Sequence, residues 1–337
     1  MPPERLHGLQ SLRALAALMV LAGHIRAEAA HYLALDLPGA ALPWTRGVDI
    51  FFVISGFIVT LSAARFAARP GAFLSRRLRR VVPLYALFTT LMVALLLASP
   101  GALKSTSLDP AQIASSYLFL PYERGDGRIA PVLSLGWTLN YEVFFYALLA
   151  LCLALPRPLA ACCAALVGLC LLGPVLPVTT ASRFYCDPLI LEFTFGIGLA
   201  RLWQIGLVRP SVPLALTALG LGLVLLVTLH QTALPRPLAA GLPAALIVAA
   251  GTLLAPCRPL PWQAIGDASY ALYLSHRFPL RAATLLLLPW LPATPWAALA
   301  FCGGMVALCL WAALRVHRHI ERPLARVLSR RPARLAT

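Results

Sequence analysis

Long apolar runs follow one another along this chain, and each is about as long as a helix that crosses a lipid bilayer. Of the 337 residues, 60% are hydrophobic and 12% are charged, whereas about a quarter of the residues of a soluble domain are charged. Such a chain cannot cover itself with polar surface in water, so we expect an all-α, polytopic transmembrane helical bundle. A span needs about 20 mostly apolar residues, and about ten stretches qualify: 9–30, 47–64, 81–99, 131–155, 159–178, 188–208, 212–230, 238–255, 264–288 and 296–316.

The basic residues lie in the gaps between these runs and are distributed unevenly. Arginines crowd the gap at 65–80 and the end of the chain after residue 314, while the alternate gaps hold fewer cations among several carboxylates. Loops rich in Arg and Lys stay in the cytoplasm, and an even number of spans returns the chain to the side on which it began. We therefore expect both termini to be cytoplasmic, with a transmembrane domain over residues 1–320 and a basic cytoplasmic tail over residues 321–337.

The composition disfavours two kinds of function. The net charge of +16 could indicate nucleic-acid binding, but that function needs a basic face, and here the cations lie between apolar runs. Most of the eight cysteines lie inside apolar runs, and no CxxC pair occurs. We therefore expect no nucleic-acid partner, no disulfide framework and no metal site.

The first apolar run carries an arginine and a histidine on one helix face. Arg13 and His24 are eleven residues apart, and each residue of a helix turns it by about 100°. The two side chains are therefore only about 20° apart around the helix axis, and about 16 Å apart along it. Charged groups at membrane depth are costly and favour a functional role, so a phosphate-bearing ligand held at Arg13 could reach toward His24 with a long, thin arm. The structural alternative is an arginine that extends to the interface and a histidine that a neighbouring helix satisfies.

Two further runs place carboxylates at membrane depth. Asp49, in GVDIFFVISGF, enters at a depth comparable with His24 and could fix the tautomer of its imidazole, although helix packing alone would also explain this motif. Glu142, in SLGWTLNYEVFFY, is a candidate proton acceptor, hydroxyl partner or ion-pair partner. Trp137 and Tyr141 in the same motif could pack against a sugar or a thioester arm. A position in the aromatic belt at the membrane interface explains Trp137 equally well.

The ninth run is too polar for a helix that faces lipid. Its sequence, GDASYALYLSHRFPLR, places Tyr270, Tyr273 and Arg277 at i, i+3 and i+7, which is one helix face. His276 follows Tyr273 by three residues and lies on an adjoining face. These polar groups predict that the helix faces the interior of the bundle.

Four arginines precede the third run in FLSRRLRRVVPLY. They act as a topological signal, and a ligand role can be added to it. Arg77 and Arg80 are three residues apart, so their guanidinium groups would meet one ligand together, and the arginine fork suits phosphate.

Taken together, these motifs resemble the membrane acyltransferase-three family, the polytopic O-acyltransferases that modify bacterial surface polysaccharides, lipopolysaccharide and related molecules. The matching elements are R-x10-H (Arg13 and His24), GVDIFFVISGF, RRLRRVVP, WTLNYE, SYALYLSH and HIERP. They occur in the family's order and extend over essentially the whole chain. WTLNYE is similar to the form found in the exopolysaccharide-modifying branch.

The resemblance implies a multi-pass protein of the bacterial cytoplasmic (inner) membrane that moves an acetyl or other short acyl group from acetyl-CoA to a hydroxyl of a cell-surface or lipid-linked carbohydrate. His24 would act as general base or carry the acyl group briefly, and Asp49 or Glu142 would orient it. A proton-coupled transporter or lipid flippase is the alternative, and the oligomeric state is open. The candidate residues are His24, Glu142 and Asp49 as catalytic groups; Arg13, Arg77, Arg80, Trp137 and Tyr270 for the acyl-CoA; and Tyr273, His276 and Arg277 for the substrate or oxyanion.

Overall fold

The computed structural model describes residues 7–67, 69–99, 109–254 and 260–329. Within these ranges the chain is mostly helical and forms no strand, and an isolated antiparallel bridge joins Glu123 to Ile129. The α-helices are α1 (His7–Leu33), α2 (Gly47–Ala63), α3 (Pro70–Ala98), α4 (Pro110–Tyr117), α5 (Trp137–Cys152), α6 (Pro158–Leu172), α7 (Thr180–Tyr185), α8 (Glu192–Gln204), α9 (Val212–Leu229), α10 (Leu242–Leu253), α11 (Gln263–Asp267), α12 (Ser269–Ser275), α13 (Arg277–Leu286), α14 (Pro295–Val316) and α15 (Arg322–Ser329).

Local sequence signals explain where many helices begin. Proline is the first residue of α3, α4, α6 and α14, where its missing N–H costs nothing because the first turn has no intrahelical acceptor. The side chains of Asp109, Ser211 and Thr294 accept hydrogen bonds from the first backbone N–H groups of α4, α9 and α14. These caps satisfy donors that the helix itself cannot.

The helical membrane class expected from the sequence is confirmed. Seven helical stretches of the described part are long and apolar enough to cross a membrane, whereas 188–208, 238–255 and 264–288 correspond to shorter or broken helices. The count of about ten spans therefore stays a prediction. The seven stretches are His7–Leu33, Trp44–Phe66, Pro70–Ala98, Ser134–Cys152, Pro158–Val175, Val212–Leu229 and Pro295–Leu328.

The last long helix passes through the expected domain boundary at residue 320. A π-type turn over His317–Glu321 joins α14 to α15, so the helical stretch runs from Pro295 to Leu328. The beginning of the expected basic tail is therefore helical, and residues 330–337 of that tail lie outside the described residues.

The ninth expected span is broken into three pieces, and the second break falls at His276. A short α11 and α12 precede this residue and α13 follows it. Pro279 lies in the first turn of α13 and has no N–H to bond the turn before it. His276 itself keeps right-handed helical backbone angles (φ −60°, ψ −27°) and is buried in the interior of the bundle.

Helix α2 is the central element of the bundle. It packs closely on α8 through two facing glycines: a Cβ on Gly56 would lie 2.3 Å from the carbonyl oxygen of Phe193, and a Cβ on Gly196 would lie 2.2 Å from that of Val53. In the most apolar 18-residue part of Trp44–Phe66, 67% of the residues are buried in the protein. The corresponding fractions are 11% for Pro158–Val175 and 17% for Val212–Leu229. Helices α6 and α9 thus form part of the apolar perimeter, and α2 lies in the core.

Candidate functional site

Two histidines from distant parts of the chain meet inside the bundle. His24 lies on α1, and His276 lies at the break between α12 and α13. The Nδ1 of His24 is 2.8 Å from the Nε2 of His276, and the two ring planes are nearly parallel, 13° apart, with their centres separated by 5.1 Å. His276 is buried and His24 is half-buried. The imidazole of His24 is therefore oriented by a second imidazole.

The hydrogen bonds of this pair determine which nitrogen of each neutral ring carries a proton. The Nδ1 of His276 is 2.9 Å from the carbonyl oxygen of Leu272, and a carbonyl oxygen only accepts, so this nitrogen carries the hydrogen. The Nε2 of His276 is then an acceptor, and His24 donates to it from Nδ1. The Nε2 of His24 consequently carries a lone pair that could accept a proton.

A cavity of about 110 Å³, here called the arginine cavity, lies between α1, α2, α3, α5 and α12. Arg13, Arg77 and Arg80 contribute to its wall, so the structure brings together the three arginines that the sequence singled out. Among the described residues, no carboxylate oxygen lies within 4 Å of their guanidinium nitrogens. The cavity is therefore suited to an anionic group such as phosphate.

Glu142 contributes a carboxylate to the wall of the arginine cavity. Its Oε1 accepts a hydrogen bond of 2.9 Å from the Ser55 hydroxyl and another from the Tyr146 hydroxyl. Tyr146 also stacks under Arg77, whose Cζ is 5.8 Å from the ring centre. Glu142 is thus held by two hydroxyl groups on the same side as the arginines.

Tyr270 and Tyr273 also line the arginine cavity, but their hydroxyl protons are already used. Tyr270 donates to the carbonyl oxygen of Val81 at 2.6 Å, and Tyr273 donates to that of Leu135 at 2.8 Å. Because the two hydroxyl groups donate to backbone carbonyl oxygens, they do not serve as donors to an oxyanion. The two rings form part of the cavity wall. The ring centre of Tyr273 lies 6.4 Å from that of His276, so Tyr273 connects the cavity with the histidine pair.

Asp49 has a different partner from the one expected. Its Oδ1 lies 3.0 Å from the Nε of Arg236, and Glu192 Oε1 lies 3.5 Å from the same nitrogen. Asp49 and Glu192 have no exposed surface. The carboxylate expected to orient His24 instead belongs to a buried ion-pair cluster of Asp49, Glu192 and Arg236, and His276 occupies the orienting position.

Trp137 lies on the other side of α5 from the arginine cavity. It lines a separate, wider cavity of about 790 Å³, here called the tryptophan cavity, together with Tyr141, Arg128, Arg183 and Asp187. The expected contact of Trp137 with the acyl-CoA arm is therefore not supported by its position. The face of α5 that carries Thr138, Glu142 and Tyr146 borders the arginine cavity, so this helix separates the two.

The expected oxyanion groups His276 and Arg277 are also engaged. Both ring nitrogens of His276 contact protein atoms, so it has no N–H to offer a substrate. Arg277 pairs with Glu28 at 3.7 Å, and its side chain is 39% exposed. It lies next to the histidine pair in sequence and remains accessible.

Sequence reasoning missed several residues of these clusters. Glu192 is a charged residue within the apolar run 188–208, a signal that could have identified it. Arg236 lies in a gap between two apolar runs, where an arginine indicates only a loop, although its guanidinium lies over the Trp137 ring at 6.0 Å. The sequence does not identify Tyr146 as a site residue, because a single tyrosine among apolar residues is as typical of a core position as of a functional site. Over the part of the chain described, no group of three or more His, Cys, Asp or Glu side chains could hold a metal ion.

The chain is similar to known proteins over most of its length. The sequence profile described as "Acyltransferase domain" matches residues 6–314. The chain is 35% identical over 294 residues to the exopolysaccharide production protein ExoZ of Rhizobium meliloti (strain 1021), covering 83% of this chain and 89% of that one. It is 32% identical over 140 residues to protein 2 in the picA locus of Rhizobium radiobacter, covering 36% of this chain and 66% of the other. No solved structure matches.

Proposed function

Because this chain belongs to the acyltransferase family whose profile matches residues 6–314, we propose that it moves an acetyl or other short acyl group from acyl-CoA to a carbohydrate hydroxyl. The relative named for exopolysaccharide production supports an extracellular polysaccharide, or its lipid-linked precursor, as the acceptor. The apolar helices and the family make the chain a multi-pass membrane acyltransferase. The donor, the length of the acyl group and the carbohydrate acceptor are the parts that we propose.

The histidine pair is the observation that carries the proposal. An acceptor hydroxyl is a weak nucleophile until a base takes its proton. The Nε2 of His24 carries a lone pair, and His276 holds the opposite edge of the ring. A general base needs this arrangement of one free nitrogen and one anchored nitrogen.

The arginine cavity fits the phosphate groups of an acyl-CoA. Arg13 and Arg77 would bind phosphate within the cavity, and the exposed Arg80 would bind it at the rim. Acyl-CoA supplies a thioester, whose carbonyl carbon is activated toward a hydroxyl. Tyr273 lies between the cavity and the histidine pair, so the acyl end would have to pass beside this ring to reach His24.

In the proposed reaction, His24 Nε2 accepts the proton of the acceptor hydroxyl. The hydroxyl oxygen forms a bond to the acyl carbon, the carbon–sulfur bond breaks, and the sulfur leaves as a thiolate. His276 stabilises the resulting imidazolium by accepting the Nδ1 hydrogen bond. The same nitrogen of His24 could instead carry the acyl group before transfer, and hydroxylamine trapping of labelled protein would distinguish that route.

We also propose an orientation for the protein. The arginine-rich segment 65–80 and the chain end favour the cytoplasm, which puts both termini and the arginine cavity on the side where CoA is made. Ten spans are compatible with this orientation if the shorter helices α8, α10 and the broken α11–α13 also cross the bilayer. Residues 1–320 would form the transmembrane domain, and 321–337 the basic tail in a bacterial inner membrane.

The test is transfer by purified protein in lipid nanodiscs. Radiolabelled acetyl-CoA is supplied with oligosaccharides of alkali-treated, and so de-esterified, exopolysaccharide from the encoding bacterium, and both CoA release and ester formation are measured. We expect acceptor-dependent CoA release, and we expect His24→Gln to lower kcat at least about a hundredfold. A transporter or flippase would release no CoA.

His31→Gln is the matched control, because His31 lies on the same helix two turns further along and is exposed. It should leave kcat unchanged. Full transfer by the His24→Gln protein would overturn the role of His24. Absence of acceptor-dependent CoA release by the wild-type protein would overturn the proposed function.

A further inference from the structure

The tryptophan cavity has the size and lining of a binding site for a polar organic molecule. At about 790 Å³ it is much larger than the arginine cavity, and it is within the range of known ligand pockets. The indole of Trp137 and the ring of Tyr141 form one wall, and polar side chains from the segment 182–187 form another. Aromatic faces that exclude water next to a few convergent polar groups are typical of such sites.

The charges around this cavity are balanced, in contrast to those of the arginine cavity. Arg183 donates to Glu123 at 2.6 Å and to the carbonyl oxygen of Gly127 at 3.2 Å, and Arg128 pairs with Asp126 at 2.5 Å. The Thr180 hydroxyl and the Arg183 guanidinium keep the pKa of Glu123 below its ordinary value, so the pair is ionised at neutral pH. Balanced, fixed dipoles suit a ligand rich in hydroxyl groups better than a phosphate.

Neither histidine of the pair lines the tryptophan cavity, but a short series of contacts connects the two. Ser134 lines the cavity, and the next residue, Leu135, accepts the hydrogen bond from Tyr273 that leads to His276. A molecule bound here would be separated from the arginine cavity by α5.

We propose that the tryptophan cavity binds the acceptor, a neutral oligosaccharide, with a sugar ring packed on Trp137 and its hydroxyls bonded by Arg183. This inference rests on the proposed function, because it assigns the second substrate of the same reaction. It separates the two substrates by α5: the acyl-CoA meets the face that carries Glu142, and the carbohydrate meets the face that carries Trp137.

The experiment measures the KM of each substrate separately, in nanodiscs, with acetyl-CoA and the de-esterified oligosaccharide. We expect Arg183→Gln to raise the oligosaccharide KM about tenfold, because the charged group proposed to bond the sugar hydroxyls is removed, and to leave the acetyl-CoA KM unchanged. Trp137→Phe keeps an aromatic ring for packing but removes part of the surface on which the sugar would lie. It should raise the oligosaccharide KM by a smaller factor. Saturation-transfer NMR with the oligosaccharide alone should show weaker binding by the Arg183→Gln protein.

Two substitutions away from the cavity are matched controls. Arg209→Gln removes an exposed arginine, and Trp290→Phe alters an indole that is 85% exposed. Neither should change either KM.

The failures of the inference and of the proposed function are distinguishable. Normal transfer with an unchanged oligosaccharide KM in the Arg183→Gln and Trp137→Phe proteins would overturn this site and leave the proposed function intact. A rise in the acetyl-CoA KM alone would reassign the cavity to the donor. A wild-type protein that releases no CoA would overturn both.

Discussion

His24 is oriented by a neutral ring, not by a carboxylate. Its Nδ1 bonds to His276, and His276 is fixed in turn by the carbonyl oxygen of Leu272. A chain of two imidazoles holds the tautomer as a carboxylate would, but it places no negative charge beside the imidazolium that forms. Such a pair avoids burying a further carboxylate in the bundle.

Replacing His276 should therefore lower the rate without weakening the binding of substrates. We expect His276→Ala to reduce kcat about tenfold to a hundredfold with the acetyl-CoA and acceptor KM values unchanged. His276→Asn should recover part of the loss, because its side-chain oxygen can accept the Nδ1 hydrogen bond of His24. Steady-state kinetics of both proteins check this, and equal losses in the two variants would contradict the orienting role.

The buried cluster of Asp49, Glu192 and Arg236 contains two carboxylates and one guanidinium. Both oxygens of Glu192 and the Oδ2 of Asp49 are buried without a hydrogen-bond partner. One guanidinium neutralises one carboxylate, so a buried charge is left without compensation when the cation is removed.

Glu192→Gln and Arg236→Leu should accordingly change the stability by very different amounts. We expect Glu192→Gln to change the free energy of unfolding by less than about 1 kcal/mol, because Asp49 and Arg236 still form a neutral pair. Arg236→Leu should lower it by about 3–5 kcal/mol. Thermal unfolding of the two proteins in detergent is the measurement, and an equal loss of stability in both would contradict this account.

At the level of elements, the contact of α2 with α8 depends on the absence of a side chain. The backbones approach so closely at Gly56 and Gly196 that a methyl group on Gly196 would meet a carbonyl oxygen at 2.2 Å. Backbone atoms cannot move aside as the end of a flexible side chain can. Small residues allow such approach between membrane helices, where packing rather than the hydrophobic effect drives association.

Gly196→Ala should destabilise the protein, whereas Gly198→Ala should not. A Cβ on Gly198, two residues along the same helix, meets nothing within 4 Å. We expect Gly196→Ala to cost about 1–3 kcal/mol through overpacking, and Gly198→Ala to be neutral or stabilising by up to about 1 kcal/mol. Unfolding midpoints of the two proteins, with yields of monodisperse protein, compare them directly.

Helical periodicity was enough to predict much of this arrangement. Apolar runs predicted the helices, and the shared face of α1 predicted that Arg13 and His24 would both turn inward. The same reasoning could not predict that His276 would meet His24, because a contact across 252 residues depends on how helices pack. It also missed the break at His276 and the partner of Asp49, since a pattern within one helix does not identify the neighbour of a side chain.

On the scale of the whole molecule, α5 divides the interior into two regions of different charge. The arginine cavity carries uncompensated cations, and the tryptophan cavity carries paired ones. In the proposed orientation the first faces the cytoplasm and the second faces the outside. The two substrates would then never share an entrance.

This orientation predicts the result of reporter fusions. Green fluorescent protein after Thr337 should fluoresce, and alkaline phosphatase at the same position should be inactive, because the chain end stays in the cytoplasm. Alkaline phosphatase inserted at residue 126, in the loop before α5, should be active outside. The reverse pattern would contradict the orientation and the assignment of the arginine cavity to the donor.

Helix α5 and its contacts must also prevent leakage across the membrane, because the membrane of the cell carries an electrical potential. If cavities open on both faces, only the packing between them prevents ions and protons from leaking through the protein. The hydroxyls of Tyr273 and Thr138 bond to each other and to the backbone of Leu135, so this part of the wall provides no spare groups for a water wire. Loosening the packing of these two side chains would therefore open a route for ions between the two cavities.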